Sequence, residues 1–193
     1  GDGTLRWVRP LRALLCMLNG KVLSCAVDGI EAGSTTFGHR FMAPQALKID
    51  KADDYLSKLE QAYVIADKAK REAVILEKAE GLATAEDLVL VDDAGLLAEV
   101  AGLVEWPVPL MGLIDDAFMD VPEEVLVSVM RTHQKYLALR NKSGQLAPRF
   151  ITIANIETAD NGAKIIAGNE RVLRARLSDA RFFWDEDRKT DLS

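Results

Sequence analysis

Two turn dipeptides, Asn19-Gly20 and Asp28-Gly29, stand so close together that nothing longer than a short strand fits between them. Pairs of this kind tolerate the positive φ that two-residue hairpin turns require. Gly33, Gly38 and Pro44 add further breaks. Residues 11–41 are therefore predicted to form a hairpin followed by several short strands, closed at Pro44.

Beyond Pro44 the apolar period changes. Over residues 52–79, Leu56, Leu59, Tyr63 and Ala66 recur at three and four with charges between them, which predicts an amphipathic helix, with a break near Ile65-Ala66-Asp67. A second helix over residues 94–104 must end before Trp106-Pro107, because the residue preceding proline is pushed out of the helical region. A strand over residues 108–114 follows. Pro122-Glu123-Glu124 then places proline and acids in a first turn, which opens a helix running to about Tyr136. Residues 137–140 and 150–154 flank the turn Asn141-Lys-Ser-Gly144 as a second hairpin. A last long helix covers residues 162–187, with an interruption at Gly168. Strands and helices without regular alternation favour an α+β fold, a mixed or antiparallel sheet packed with helices. Residues 1–193 read as a single α+β region, with a weak subdivision near 80–87.

The 49% hydrophobic and 28% charged residues suit a globular chain with a core, and no apolar run is long enough to span a membrane. The first residues, Gly1-Asp2-Gly3, lack the charge and apolar order of a signal peptide. With no initiating Met and a final Lys189-Thr-Asp-Leu-Ser193, the chain is expected to be an internal stretch of a longer protein.

Cys16 and Cys25 flank Asn19-Gly20. If residue 18 pairs with 21 across that turn, 16 pairs with 23, and the two cysteines become diagonal neighbours on one sheet face, roughly 7–8 Å apart by Cα. A disulfide spans about 4.4–6.8 Å. Reduced, buried thiols of a cytosolic protein are the expected state.

Charge is distributed unevenly. Residues 131–184 hold ten Lys and Arg against four Asp and Glu, in a chain whose net charge is -6. On the last helix Arg171, Arg174, Ser178 and Arg181 share one sector, beside an apolar stripe of Leu173, Leu177, Ala180 and Trp184. Arginines spaced by helical turns could track phosphates, and Arg131 and Lys135 add a second pair on the preceding helix. On charge pattern alone a solvated, salt-bridged face, with Glu170 meeting Arg174 and Asp179 meeting its neighbouring arginines, is the leading reading. Phe182 and Phe183 are expected in the core, and His133 half-buried beside Met130 and Leu137.

Catalytic constellations are sparse. The histidines are His39 and His133, and zinc spacings and glycine-rich phosphate loops are absent from the sequence. No metal or cofactor site is predicted. The acidic pairs Asp53-Asp54, Asp92-Asp93 and Asp115-Asp116 fit turns and caps.

Several segments in order resemble one family. They are Arg6-Trp-Val-Arg-Pro-Leu11, Gly38-His-Arg-Phe-Met-Ala-Pro44, Val64-Ile-Ala-Asp67, Leu103-Val-Glu-Trp-Pro107, Met130-Arg-Thr-His-Gln-Lys-Tyr136, Phe150-Ile-Thr-Ile-Ala-Asn155 and Gly168-Asn-Glu-Arg-Val-Leu-Arg-Ala-Arg-Leu-Ser-Asp-Ala-Arg-Phe-Phe183. Together they are similar to the beta subunit of the bacterial two-subunit, heterotetrameric glycyl-tRNA synthetase. The resemblance implies a cytoplasmic glycine-tRNA ligase whose alpha subunit uses ATP and Mg and binds glycine, so that this stretch is non-catalytic and supports tRNA binding and subunit assembly. The implied partners are the alpha subunit, tRNA-Gly and the rest of the beta subunit, including a phosphohydrolase-like helical region and an anticodon-binding domain, and no membrane. The region is also similar to the editing module of the phenylalanyl-tRNA synthetase beta subunit, a mixed sheet packed with helices. Three roles stay open: phosphate positioning by Arg131, Lys135, Arg171, Arg174 and Arg181; docking of the alpha subunit through the arginine stripe; and hydrolysis of mischarged tRNA with His133 or His39 as base.

Overall fold

A computed structural model of the chain describes Leu11 and residues 13–189. The resemblance segment at residues 6–11 lies outside the described residues apart from Leu11. The chain divides into two compact units, Gly1–Ala66 and Asp67–Ser193. Residues 80–87 fall within the second unit, around the end of a helix that closes at Ala85.

The first unit is built from short strands, as its turn signals require. β1 (Leu14–Leu15), β2 (Met17–Leu18), β3 (Lys21–Val22), β4 (Ala26–Val27), β5 (Ile30–Gly33), β6 (Thr35–Phe37) and β7 (Ala46–Lys48) precede a 3-10 turn at Ala52–Asp54 and helix α1 (Tyr55–Gln61). Asn19 and Gly20 both take positive φ (49° and 76°), and Leu18 pairs with Lys21 across them. β1, β5 and β4 form a three-stranded sheet in that order, with β1 parallel to β5. Ile49, Leu59, Ala62 and Ile65 are buried. The thiols depart from expectation. Both are free, but Cys25 is exposed and Cys16 half-buried, because strands this short leave one face of the hairpin uncovered.

The second unit is an α+β sandwich. α2 (Lys68–Ala85), β8 (Val89–Leu90), α3 (Ala94–Leu103), β9 (Val108–Leu113), a 3-10 turn at Asp116–Phe118, α4 (Glu123–Val129), a π-helical turn at Met130–Gln134, β10 (Leu137–Arg140), β11 (Leu146–Ala154) and α5 (Ala163–Asp187) follow in order. The four strands form one antiparallel sheet, β8-β10-β11-β9. Opposed residues share a face, so Ala138 with Phe150 and Leu137 with Ile151 define its two sides. Ala138 and Phe150 pack with Leu126 and Met130 of α4 and the π turn, and with Leu173 and Leu177 of α5. Leu137, Leu139 and Ile151 pack instead with Ile75 and Ala79 of α2 and Leu96 and Val100 of α3. Both faces are buried, which is why Leu137, Ala138 and Leu139 of β10 read as an unbroken apolar run ahead of Arg140.

Several boundaries differ from the sequence reading, and the helix expected to end at 79 runs on to Ala85. β11 starts at Leu146 rather than Phe150, and Pro148 sits where the β10–β11 register shifts between Ala138 and Arg140. A bulge there takes a residue without an N–H out of the ladder. The helix after Pro122 widens into the π turn and stops at Lys135, which is left-handed (φ 59°). Helix α5 passes through Gly168 without a break.

Candidate nucleic-acid interface

The cations singled out by sequence fall into two groups in the second unit. Arg131 and Lys135 lie at the π turn, and each meets an acid of the α3 segment. Arg131 Nε lies 2.6 Å from Asp93 Oδ2, with Nη2 3.4 Å from Oδ1. Lys135 Nζ lies 2.9 Å from Glu99 Oε1. Asp93 also accepts from Leu96 N at 2.8 Å and so caps α3. The Arg131 hydrogen bond, reinforced by the Leu96 N–H, holds the Asp93 carboxyl below the usual carboxylate range, and the same contact raises the Arg131 guanidinium.

Arg171, Arg174 and Arg181 ride on α5, whose buried seam is Leu173 and Leu177. Arg174 Nε is 3.3 Å from Asp115. Arg181 donates to the Ala117 carbonyl, sits 2.8 Å from Asp120 and lies 3.8 Å from Asp185. The salt-bridged reading expected Glu170 and Asp179 as partners. Instead Glu170 Oε1 accepts from Leu113 N at 2.8 Å, tying α5 to β9, while the arginine partners come mainly from the loop after β9. Of the five candidate residues, four are therefore engaged by carboxylates. Arg171 is exposed and has no charged partner among the described residues. Arg176, which sequence reasoning passed over, is exposed and unengaged in the same way. Its signal was available, since it falls about 140° around the helix from Arg171, outside the sector first considered.

Phe182 and Phe183 overturn the expectation of core packing: they are 59% and 64% exposed and meet edge to face at 5.6 Å. Successive turns of 100° carry both away from the Leu173–Leu177 seam, so a helix buried along that seam must expose them. His133 is also exposed, not half-buried, because the π turn directs Met130 rather than His133 into the core. In the first unit His39 is 1% exposed. Its Nδ1 accepts from Phe41 N and Met42 N, each at 3.2 Å, so this nitrogen braces a turn.

Several segments that carry the family resemblance are braced by contacts with one another or with neighbouring residues. Tyr136 Oη donates to Asn169 Oδ1 at 2.6 Å, and its ring stacks on Phe150 at 4.4 Å. Burial pushes the Tyr136 phenol up to about 12. Asn155 Oδ1 accepts from Glu105 N and Trp106 N at 2.8 and 2.9 Å, just before Pro107. His39 N donates to Ala62 O at 2.8 Å, and a Cβ on Gly38 would overlap Ala62.

A cavity of about 300 Å³ opens between α2, β8 and α3, with Leu76, Leu90 and Leu97 in its walls and Glu80, Asp92 and Asp93 among its lining. That acidic lining repels phosphate. No cluster of metal-ligating side chains occurs among the described residues, and no described helix is long and apolar enough to cross a membrane.

The family described as glycyl-tRNA synthetase beta subunit matches residues 1–193. The glycine–tRNA ligase beta subunit of Ruegeria sp. (strain TM1040) is 52% identical over 191 residues, covering 97% of this chain and 28% of the relative. That of Phenylobacterium zucineum (strain HLK1) is 53% identical over 194 residues, covering 100% and 29%. The Rhodospirillum centenum (strain ATCC 51521 / SW) subunit is 49% identical over 216 residues, covering 100% and 30%. The chain spans less than a third of the length of these relatives.

Proposed function

Because the chain belongs to the glycyl-tRNA synthetase beta subunit family, we propose that it forms a non-catalytic part of a cytoplasmic glycine–tRNA ligase. It supports tRNA-Gly binding and subunit assembly, while an alpha subunit supplies the site for ATP, Mg and glycine. The observation that carries this reading is the family match along residues 1–193. Within it, Arg131, Lys135, Arg174 and Arg181 each meet a carboxylate, which supports a bracing role for them and a phosphate-facing role for the unpaired Arg171 and Arg176.

The test is the salt dependence of tRNA affinity in the full enzyme. Arg171→Glu with Arg176→Glu is expected to weaken binding and reduce the slope of log K against log salt by about one unit per lost contact. An unchanged affinity and slope would sink the RNA role.

A second reading is favoured by the exposed Phe182–Phe183 pair, which is followed closely by Asp185, Glu186 and Asp187. Carboxylates repel a phosphate backbone, whereas an aromatic pair suits a protein surface. This end of α5 then docks the alpha subunit or another part of the beta subunit. Phe182→Ser with Phe183→Ser should lower the yield of assembled enzyme and leave tRNA affinity per assembled complex unaltered.

A further inference from the structure

We propose that the exposed surface carrying Phe37, Arg40, Phe41 and Lys48 in the first unit holds an unpaired nucleotide of bound tRNA, an aromatic ring stacking on its base and the cations meeting its phosphates. The inference rests on the tRNA-binding reading above but places a contact in a different unit, on residues that reading does not use.

The loop between β6 and β7 is anchored from inside. His39 is buried, its N–H donates to the Ala62 carbonyl at 2.8 Å, and its own carbonyl accepts from Ala43 N at 2.9 Å. Its Nδ1 takes the N–H groups of Phe41 and Met42. A Cβ on Gly38 would stand 2.6 Å from Ala62 Cβ and 2.8 Å from the Ala43 carbonyl oxygen, so the loop lies directly on the residue that closes α1. With its backbone held in this way, the loop leaves Arg40 and Phe41 to solvent. Phe41 is 71% exposed, the highest value among the described large apolar side chains. Arg40 Cζ lies over its ring, 5.4 Å from the centroid, and Arg40 meets no carboxylate among the described residues.

The neighbouring surface has the same chemistry. Phe37 pairs with Ala46 and Thr35 with Lys48 across the β6–β7 ladder, and all four are exposed, so one face of this hairpin is open. Ala46 and Lys48 also line an open groove of about 440 Å³, with Ala43 from the loop and Lys58 and Gln61 from α1, and no described carboxylate is part of that lining. Asp50 lies 3.5 Å from Lys48 and 3.6 Å from Lys58, so two ammonium groups share one carboxylate and the positive sign survives. A single exposed phenylalanine is ordinary. Two of them within five residues, one under an arginine, at the margin of a groove that carries lysines, supply what single-stranded nucleic acid binds: a π face for a base and cations for the backbone. A duplex hides its base faces, which is why the ligand is an unpaired nucleotide.

The test uses the full enzyme, alpha and beta subunits together, with tRNA-Gly carrying a photoreactive uridine analogue at its unpaired positions. Irradiation is expected to join RNA to the peptide covering residues 37–48. An unstructured RNA oligonucleotide should compete for that crosslink, and a blunt RNA duplex should not. Phe41→Leu keeps the apolar bulk and removes the ring, so it should weaken oligonucleotide affinity about five-fold or more, the loss of one stacked base. Arg40→Gln should reduce the slope of log K against log salt by about 0.7 unit, the single-strand value for one phosphate contact. The crosslink on the unsubstituted enzyme decides independently of how the variants fold. Crosslinks confined to other peptides overturn this site and leave tRNA binding through Arg171 and Arg176 standing. Equal competition by the duplex, or unaltered affinity in Phe41→Leu, also overturns it. So does a loss of subunit assembly in Phe41→Leu with RNA affinity intact, which would give the surface to a protein partner.

Discussion

Tyr136 and Asn169, separated by 33 residues in sequence, are joined by a 2.6 Å hydrogen bond that locks the π turn to the first half of α5. The phenol donates to Asn169 Oδ1, while Asn169 Nδ2 donates to the Ile165 carbonyl at 2.7 Å. Removing the hydroxyl leaves a partly buried amide oxygen without its donor. Tyr136→Phe is therefore expected to cost about 1–2 kcal/mol in urea unfolding, and Asn169→Ala a similar amount. The double substitution should cost less than the sum of the two, and strict additivity would show that the bond contributes nothing of its own.

The same phenol sets an alkaline limit. Its folded-state value, about 12, lies above the ordinary 10.0 of an unfolded tyrosine, so the unfolded state loses its proton first as pH rises. The stabilisation is complete below about pH 10 and falls away between there and about 12. Stability curves of wild type and Tyr136→Phe measured across that window should converge at the alkaline end.

At the acid end the relevant group is Asp93. Its carboxyl is held low by Arg131 and by the α3 cap, so its contribution is present above the ordinary carboxylate range and disappears as pH falls through the folded-state value. Asp93→Ala is expected to destabilise by about 1 kcal/mol through the lost cap. Arg131→Ala should cost less than about 1 kcal/mol, because its side chain is half exposed. Equal losses in both variants would show that the ion pair, not the cap, is the stabilising element.

Two glycines should respond in opposite directions to alanine. A Cβ on Gly112 of β9 would overlap the Phe150 ring, and Gly112→Ala is expected to lower stability by about 1–3 kcal/mol. Gly168 lies inside α5 with nothing within 4 Å of an added Cβ. Gly168→Ala should raise stability by up to about 1 kcal/mol by removing an interior helix glycine. Thermal unfolding of the two variants beside the wild type decides both.

Local chemistry was readable from the sequence, and long-range pairing was not. The hairpin at Asn19-Gly20, the helix start at Pro122 and the span of α5 all follow from short-range signals, and the structure places them accordingly. β8 escaped notice because two residues have no period. The first half of β11 was hidden by Pro148, which argues against a central strand unless a bulge is foreseen. For the arginines the helical sector was legible, but their partners were not. Asp120 is 61 residues from Arg181 and Asp93 is 38 from Arg131, distances over which charge pattern carries no information. Phe182 and Phe183 were misplaced because residue type was weighed ahead of helical angle.

The hold of Glu170 on Leu113 N also bears on how copies of this protein meet in a crowded solution. β9 is the outermost strand of its sheet, and such a strand can recruit another chain through its unpaired N–H groups. Donor direction alternates along a strand, so Pro109, Met111 and Leu113 face outward together. Proline has no hydrogen to offer, and the Leu113 hydrogen is already taken. An approaching strand finds an interrupted template. Glu170→Ala would restore one rung of it, and light scattering at rising concentration should then detect self-association that the unsubstituted protein resists.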